Sequence, residues 1–315
     1  MRCKHLSASS ISTFDMCEYS YHLAYDLGLR GYPNAGALKG TICHECLERT
    51  ARFLMKDEKN DIEFARDSLD RVVIDSVFRK HAEDENNKKF VELTAKDFKE
   101  CYKKIMSVLD SGIFDNEILG VERAFDIVFS PDGTPIWYDL KEDYDEIIEA
   151  GVSIEDIFGY NCFRILGFMD LVIKEDENTA HVYDYKTGKS TKSFDQAMKD
   201  TQCLMYALAT SCLYPDYENI FVTLWFIDKK QVTVCYEKKD IDKFIDLLYY
   251  KWQKITRCNK PQRTVKKWNS WKCRYCAFKD GKADCDIFYL LESAGKDLTK
   301  SIALAKIGRT LEGMI

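Results

Sequence analysis

The chain has 315 residues, of which 46% are hydrophobic and 31% are charged, and its formal net charge is −6. This composition is typical of a water-soluble globular protein, either one large domain or a core with an inserted lobe. The sequence has no run of about 20 apolar residues, so no membrane span is expected. Residues 1–13 lack the apolar core of a secretion signal, so we expect a cytoplasmic protein.

The cysteine content and the net charge narrow the possible sites and partners. The sequence has 13 cysteines, and an odd number without a secretion signal argues against a full disulfide framework. Free thiols together with a metal or cluster site fit this number of cysteines better.

The negative net charge argues mildly against a DNA-binding protein. A basic groove on an acidic protein nevertheless attracts phosphate groups, because the electrostatic field near the groove, and not the net charge, directs the approach of a charged ligand.

A helix is predicted near the start of the chain. Ser9 or Ser10 can cap it, and apolar positions recur at helical spacing to about Tyr25. Cys17 lies on this helix or at its end. A loop that contains glycines and a proline follows and separates it from the next element.

A second helix and a helical lobe are predicted next. Thr41 can cap a helix that runs to about Met55 and carries His44 and Glu48 one turn apart. Residues 61–111 are highly charged and have apolar positions at helical spacing, which predicts a lobe of helices.

A strand and an insertion precede the centre of the chain. Residues 118–129 alternate enough to predict a strand, and this strand carries Glu122. Residues 130–161 contain two prolines, an Asp-Gly pair and acidic segments, which indicates an insertion between strands.

A hairpin is predicted at the centre of the chain. Residues 167–173 and 181–188 are apolar and β-branched or aromatic at their heart, and the segment between them is polar. If the loop is centred near Glu177, Asp170 lies opposite Asp184, with their β-carbons roughly 4.5–5.5 Å apart. Side chains alternate along a strand, so Asp184 and Lys186 share a face.

The facing carboxylates of Asp170 and Asp184 predict a cation site. Two carboxylates so close repel each other, and burying them unpaired is costly. A divalent cation between them removes this cost, and the nearby Lys186 reduces it. Hard oxygen ligands suit Mg²⁺ or Mn²⁺. The alternative interpretation is a surface hairpin with two solvated acids and a solvated lysine.

Helices and a second hairpin are predicted after the centre. A helix from Phe194 to about Leu213 carries Gln202 and Tyr206 one turn apart. The remaining predicted elements are a hairpin over 220–227 and 231–236, an amphipathic helix over 240–257 and a last short helix over 300–315.

The central hairpin resembles a known nuclease signature. Asp170, followed by Asp184-Tyr185-Lys186, resembles the motif of the PD-(D/E)XK nuclease superfamily. Residues 167–170 and 184–188 are similar to the RecB nuclease-domain branch. That branch includes CRISPR-associated RecB-like and phage exonucleases with an iron–sulfur cluster. The resemblance implies an α/β core with a mixed central sheet, a helical insertion and a C-terminal iron–sulfur staple.

The resemblance also implies a set of metal ligands. Residues 40–44 resemble the glycine-then-histidine helix whose histidine is an extra metal ligand in the family, which assigns that role to His44. Asp170, Asp184 and the backbone carbonyl of Tyr185 would complete the site for Mg²⁺ or Mn²⁺.

Further side chains are implied to act beside the metal. With Asp170 and Asp184, Lys186 would be catalytic, because it would stabilise developing charge or orient the attacking water. Gln202 and Tyr206 resemble the Gln-x-x-x-Tyr motif that follows the catalytic strands of the RecB branch. Glu122 is a further candidate acid at the edge of the site.

Four cysteines are candidates for a second metal centre. Cys273, Cys276 and Cys285 place three thiolates close in sequence, and they need a fourth for a cuboidal cluster or tetrahedral zinc. Family members with an iron–sulfur staple have one cysteine near the start and three near the end. The resemblance therefore implies Cys17 and a [4Fe–4S] cluster rather than Zn²⁺. The alternatives are Cys258 as the fourth ligand, or reduced buried cysteines without a metal.

A basic stretch interleaved with aromatics follows residue 259 and predicts DNA contact. Lysine and arginine neutralise phosphates, and indoles stack on unpaired bases. No base-reading motif is visible, so we expect little sequence specificity. The predicted DNA-contacting residues are Lys189, Arg263, Lys266, Lys267, Trp268 and Trp271. The alternative is a solvated loop whose tryptophans pack on the core.

These features together predict a metal-dependent DNA nuclease. We expect an exonuclease on single-stranded DNA or DNA ends that serves recombination, repair or phage genome processing, with a helicase or recombinase as a candidate partner. The alternatives are a non-catalytic DNA-binding or scaffold subunit with the same fold, and a zinc-stapled endonuclease. The expected organisation is N-terminal core helices (1–55), a helical lobe (56–115), the core sheet and helices (116–257, with the insertion at 130–161) and a cysteine-cluster segment (258–315).

Overall fold

The computed structural model describes residues 3, 5–29, 34–56, 62–63, 65, 72–138, 162–264, 273, 276, 278 and 285. The chain divides into two compact units, one of residues 1–32 and 248–315 and the other of residues 33–247. The predicted last helix, residues 300–315, lies outside the described residues, as do residues 139–161 of the predicted insertion. In the described part of the chain, no helix combines the length and apolarity needed to cross a membrane.

The first unit begins with short helical elements that break at Cys17. These elements are α1 (Ala8–Met16), α2 (Glu18–Tyr21) and a π-helix (His22–Asp26). The prediction that Ser9 or Ser10 caps α1 was wrong. Ser7 is the N-cap. Its hydroxyl accepts a hydrogen bond from the Ser10 N–H, and the Ser10 hydroxyl accepts one from the Ser7 N–H. Cys17 has an extended backbone and ends α1, so its side chain lies at a junction between helices.

The second unit starts with a long helix and a group of shorter ones. They are α3 (Ala35–Lys56), α4 (Ile74–Glu83), α5 (Glu85–Lys88), α6 (Ala95–Leu109) and a 3₁₀ turn (Ile113–Asp115). The prediction that α3 starts at Thr41 was wrong. Asn34 Oδ1 accepts from the Ala37 N–H, and the Thr41 hydroxyl donates to the Ala37 carbonyl within the helix. Threonine at a helix start and threonine inside a helix are not distinguished by residue type alone.

Helix α3 is held in place by its buried side. Ile42, Cys43 and Leu47 are almost fully buried in one cluster with α4, α6 and strand residues including Leu171. His44 follows Cys43 in the helix, so its side chain leaves the helix on a different side from Cys43 and remains partly accessible. Burial of the neighbouring apolar positions therefore fixes the direction in which His44 points.

A six-stranded mixed sheet forms the centre of the second unit. Its strands are β1 (Ile118–Phe129), β2 (Pro135–Tyr138), β3 (Phe163–Asp176), β4 (Thr179–Lys186), β5 (Asn219–Phe226) and β6 (Lys230–Glu237). The spatial order is β2-β1-β3-β4-β5-β6, with β4 and β5 parallel and every other pair antiparallel. The predicted mixed sheet flanked by helices is confirmed. The segment predicted as an insertion contributes the edge strand β2.

The helices after the central hairpin differ from the prediction at one point. They are α7 (Phe194–Met198), α8 (Thr201–Leu213) and α9 (Lys238–Thr256). One continuous helix was predicted over residues 194–213, but Asp200 interrupts it. The Asp200 carboxylate accepts from the Gln202 N–H at 3.0 Å, which caps α8. This cap fixes where Gln202 and Tyr206 emerge from α8.

Gly167 leaves room for an aromatic ring from the neighbouring strand. A β-carbon at Gly167 would lie 2.4 Å from Cζ of Phe125, which faces Gly167 across the β1–β3 pair. The Phe125 ring also makes an edge contact with the Tyr206 ring, 6.2 Å between centroids. The glycine therefore lets β1, β3 and α8 pack closely beside Asp170.

Replacing Gly167 with alanine is expected to destabilise the second unit by about 1–3 kcal/mol, because the new methyl group overpacks against Phe125. Urea denaturation monitored by circular dichroism measures this loss. Gly188→Ala is the matched control, since a β-carbon added at Gly188 would have nothing within 4 Å of it. Equal stability of the two variants would contradict the packing role of Gly167.

Candidate metal and catalytic site

Three carboxylates form a row across three neighbouring strands. The β3–β4 register pairs Leu171 with Tyr183, so one residue further along Asp170 is level with Asp184, as the sequence predicts. The β1–β3 register pairs Val121 with Leu171 and Arg123 with Met169, which sets Glu122 level with Asp170. Glu122, Asp170 and Asp184 therefore lie in one line across β1, β3 and β4.

Glu122 occupies a strained position in this row. Its φ is 43°, in the left-handed region that residues with a side chain rarely adopt. One ligand atom from each of His44, Glu122 and Asp170 lies within 4.8 Å of the others, the one such group of three among the described residues. Strain of this kind persists where surrounding contacts enforce it, and it clusters at functional sites. The structure thus gives Glu122 a central place, whereas the sequence placed it at the edge.

His44 joins helix α3 to the acidic row. Its Nε2 donates to the Tyr185 carbonyl at 2.8 Å, and its Nδ1 lies 3.4 Å from Asp170 Oδ1. Asp170 Oδ2 accepts from the Tyr185 N–H at 2.7 Å. Of the predicted ligands, His44 thus contacts both Asp170 and the Tyr185 carbonyl, and Asp170 contacts the N–H of Tyr185.

Asp184 lies in a second set of contacts that includes α8. The Lys186 ammonium lies 2.6 Å from Asp184 Oδ2 and donates to Gln202 Oε1 at 2.8 Å. The Gln202 amide donates to Asp184 Oδ1 at 2.9 Å, and the Tyr206 hydroxyl donates to the same oxygen at 3.2 Å. The structure therefore brings Asp184, Lys186, Gln202 and Tyr206 together, as the motif resemblance implies. Asp184 Oδ2 is buried and has the Lys186 charge beside it but no well-formed hydrogen bond.

Negative charge is crowded at this site, and it raises the pKa values of the ionisable side chains there. Burial, and then the charge of Asp170, raise the pKa of Asp184 to about 6, although Lys186 opposes the shift. Burial and the charge of Asp170 likewise raise the pKa of Glu122 to about 7. Burial disfavours the charged form of His44, but Asp170 and Asp184 overcome it and raise its pKa to about 9. The site therefore has an excess of negative charge that favours a cation.

The cysteines predicted to hold a cluster lie in the first unit. The Cys276 N–H donates to the Cys273 carbonyl at 3.1 Å, and the Cys285 N–H to the Phe278 carbonyl at 3.2 Å. Burial raises the pKa of the Cys276 thiol, and the neighbouring Cys17 and Cys273 thiols raise it further. Among the described positions of this unit, Cys17 and Cys273 are therefore close enough to Cys276 to influence its thiol.

Cys258, the alternative fourth ligand, has a different environment. Its thiol donates to Glu18 Oε2 at 3.7 Å, and burial, followed by the Glu18 charge, raises its pKa. The same carboxylate oxygen accepts from the Gln262 N–H at 3.1 Å. Cys258 thus takes part in a hydrogen-bonded group with Glu18.

The predicted DNA-contacting residues are only partly within the described chain. Lys189 is exposed, and its carbonyl accepts a hydrogen bond from Lys229, which also donates to the Gly188 carbonyl at 2.8 Å. Arg263 is described and half-buried. The residues outside the described part are Lys266, Lys267, Trp268 and Trp271. Lys229 thus anchors the loop that carries Lys189 directly after the catalytic strand.

Comparisons with known proteins bear on the identity of this site. A family model described as the PD-(D/E)XK nuclease superfamily matches residues 5–280. No curated protein matches the sequence. A solved structure described as the crystal structure of SSO0001 is 12% identical, with a TM-score of 0.30, and the match covers 74% of this chain and 92% of that one. At that score the structural likeness supports no conclusion about fold or function.

Proposed function

The chain belongs to the PD-(D/E)XK nuclease superfamily, and from this premise we propose that it is a RecB-like exonuclease that degrades single-stranded DNA or DNA ends. The observation that carries the proposal is the convergence of His44, Glu122 and Asp170 beside the Asp184–Lys186 pair. Recombination, repair or phage genome processing would use such an activity, with a helicase or recombinase as partner.

The residues present fit a divalent cation. An imidazole nitrogen and two carboxylate oxygens lie within 4.8 Å of one another. The carboxylate oxygens are the donors that suit Mg²⁺ or Mn²⁺. The Tyr185 carbonyl, which contacts His44, is an adjacent further donor, and Asp184 is level with Asp170 on the neighbouring strand. We assign the cation to His44, Glu122, Asp170, Asp184 and the Tyr185 carbonyl. When bound, a divalent cation polarises phosphoryl oxygens and makes water more acidic.

Lys186 is held in position for electrostatic catalysis. Its ammonium group is fixed between Asp184 and the Gln202 side-chain carbonyl, so little reorganisation is needed when charge develops on a phosphoryl group. Asp184 and other acids raise the pKa of Lys186 despite burial, which keeps it protonated at neutral pH. Lys186 would therefore contribute a fixed positive charge beside the phosphate.

Gln202 and Tyr206 act as positioning residues in this scheme. Both donate to Asp184 Oδ1, which holds the carboxylate so that Oδ2 faces Lys186. The Gln202 amide also donates to the Tyr206 hydroxyl at 2.7 Å, which ties the two side chains together. Their spacing of four residues on α8 makes this arrangement possible.

The exonuclease activity is tested with linear and circular single-stranded DNA of the same sequence, alongside end-labelled duplex. With Mg²⁺ or Mn²⁺ we expect progressive degradation of the linear strand, an intact circle, and no cleavage in the presence of a chelator. Equal cleavage of the circle would indicate an endonuclease. DNA binding without cleavage of any substrate would favour a non-catalytic DNA-binding or scaffold subunit.

We further propose that Cys17, Cys273, Cys276 and Cys285 hold a [4Fe–4S] cluster, with Zn²⁺ as the alternative. Support comes from the motif resemblance and from the effect of the Cys17 and Cys273 thiols on the pKa of Cys276. Joining residues so far apart in sequence would remove much chain entropy from the unfolded state and so stabilise the first unit.

Replacing Cys276 with serine is expected to remove the cluster. The natural protein, purified without oxygen, should be brown and contain about four irons per chain, because four thiolates hold a cuboidal cluster. The Cys276→Ser variant should be colourless and melt at a lower temperature. Cys235→Ser, at an exposed position on β6, is the matched control and should keep its iron. A colourless natural protein that contains zinc would contradict the [4Fe–4S] assignment and support Zn²⁺ at these cysteines.

A further inference from the structure

Phe168 is an exposed aromatic residue on the strand that carries Asp170. It is 47% exposed, although β3 is flanked by β1 on one edge and β4 on the other, and Met169 beside it is fully buried. Phe168 precedes Asp170 by two residues, which corresponds to about 6.6 Å along a strand. A large apolar side chain is therefore presented to solvent directly beside the acidic row.

The direction in which Phe168 points follows from its neighbours. A β-carbon at Gly167 would meet the Phe125 ring, and the Thr210 hydroxyl of α8 contacts the Met169 sulfur. Gly167 and Met169 thus face the α8 side of the sheet. Because side chains alternate along a strand, Phe168, which lies between these two residues, faces away from α8. His44 of α3 contacts Asp170 two residues further along β3.

The strands beside Phe168 leave its ring accessible next to the reacting groups. On β1 its partner is Ala124, a small residue. Phe168 therefore lies two residues along β3 from Asp170, an acid of the proposed cation site that also includes His44 and Glu122.

We propose that Phe168 stacks on the nucleobase adjacent to the phosphodiester that is cleaved, and thereby selects an unpaired strand. This inference rests on the proposed nuclease function and identifies a specificity-determining residue for it. Aromatic rings stack on any base, so this contact adds affinity without sequence preference. A base inside an intact duplex is stacked on its neighbours and is not available to the ring, so only unpaired or frayed nucleotides gain from the contact.

The test measures coupling between Phe168 and a single base. Single-stranded oligonucleotides that each contain one abasic nucleotide, at successive positions, are bound to the Lys186→Ala protein in Mg²⁺, because this variant cleaves too slowly to consume the strand during the measurement. Fluorescence anisotropy gives each affinity. We expect one abasic position to weaken binding by about tenfold, the loss of one base–aromatic stack. In the Lys186→Ala/Phe168→Ala protein that position should show no penalty.

Two variants separate stacking from structural effects. Phe168→Trp keeps an aromatic ring and should keep the abasic penalty. Phe90→Ala removes a phenylalanine that is 39% exposed in the segment between α5 and α6, and it should leave the penalty unchanged. An abasic penalty that persists in the Phe168→Ala protein, or the absence of a penalty at every position, would overturn the proposal.

Cleavage assays then distinguish failure of this inference from failure of the proposed function. With Lys186 present, Phe168→Ala should raise KM for single-stranded DNA about tenfold, because one base stack is lost, and leave kcat unchanged. Duplex binding should not change. If the natural protein cuts no DNA but the base–Phe168 coupling is observed, the nuclease function fails and the stacking assignment stands. If it cuts DNA without such coupling, only the stacking assignment fails.

Discussion

Replacing Lys186 with alanine is expected to lower the rate of DNA cleavage by about 10²–10³-fold while leaving DNA affinity nearly unchanged. The expected size is that of removing one preorganised electrostatic group from an active site. The ammonium group lies 2.6 Å from Asp184 Oδ2 and 2.8 Å from Gln202 Oε1, so its position is already fixed before substrate binds. Single-turnover cleavage of an end-labelled strand, together with a binding titration, measures both quantities.

Two further variants make the Lys186 result specific. Lys186→Arg keeps the positive charge but places a larger planar group in the same space and should also be strongly impaired. Lys174→Ala removes another lysine from the same hairpin, one paired with Glu177 at 2.7 Å near its turn, and should retain full activity. Normal cleavage by Lys186→Ala would refute the role assigned to this residue.

Replacing Asp170 with asparagine is expected to abolish both cation binding and cleavage. Asp170 contacts His44 through Oδ1 and the Tyr185 N–H through Oδ2, and it is the middle acid of the row. Asparagine is nearly the same size and still accepts from Tyr185, but it lacks the negative charge that attracts a dication. The loss should therefore concern the cation and not the fold.

Thermal melting with and without Mn²⁺ measures this effect separately from catalysis. Ligand at 100 times its dissociation constant stabilises a protein by about 2.7 kcal/mol, so saturating Mn²⁺ should raise the melting temperature of the natural protein. Asp170→Asn should melt at the same temperature with and without the ion. Asp216→Asn, at an exposed position after α8, should respond to Mn²⁺ like the natural protein. A full Mn²⁺ response in Asp170→Asn would contradict the assigned ligand set.

The facing positions of Asp170 and Asp184 were predictable, because in a hairpin they follow from the number of residues between each acid and the turn. A hairpin centred near Glu177 has one register that sets Asp170 level with Asp184, and the structure has that register. The four-residue spacing of Gln202 and Tyr206 likewise predicts that both reach one point, and both donate to Asp184 Oδ1. Regular strands and helices allow such placement because their periodicity is fixed.

Glu122 was harder to place because its position depends on a local irregularity. In a regular strand its side chain follows simple alternation, but at a φ of 43° that rule does not apply. Its placement opposite Asp170 also depends on how β1 pairs with β3, strands that are separated by the segment predicted as an insertion. When a long connection joins two strands, the number of residues between them does not determine which residues pair.

The helix boundaries show a different limit of sequence reasoning. Asn34 and Asp200 are both good N-cap residues, and each caps a helix in the structure, α3 and α8. The prediction instead placed the start of α3 at Thr41 and ran a helix through Asp200. Several capping residues compete in each segment, and packing of the following apolar positions decides among them.

The most direct test of the assigned site is a crystal grown with Mn²⁺ and examined for anomalous scattering at the manganese absorption edge. We predict one strong peak in contact with His44, Glu122 and Asp170, and no peak there in Asp170→Asn crystals grown under the same conditions. Manganese bound only elsewhere, or no bound manganese at a concentration that supports cleavage, would contradict the assignment of this acidic row as the metal centre.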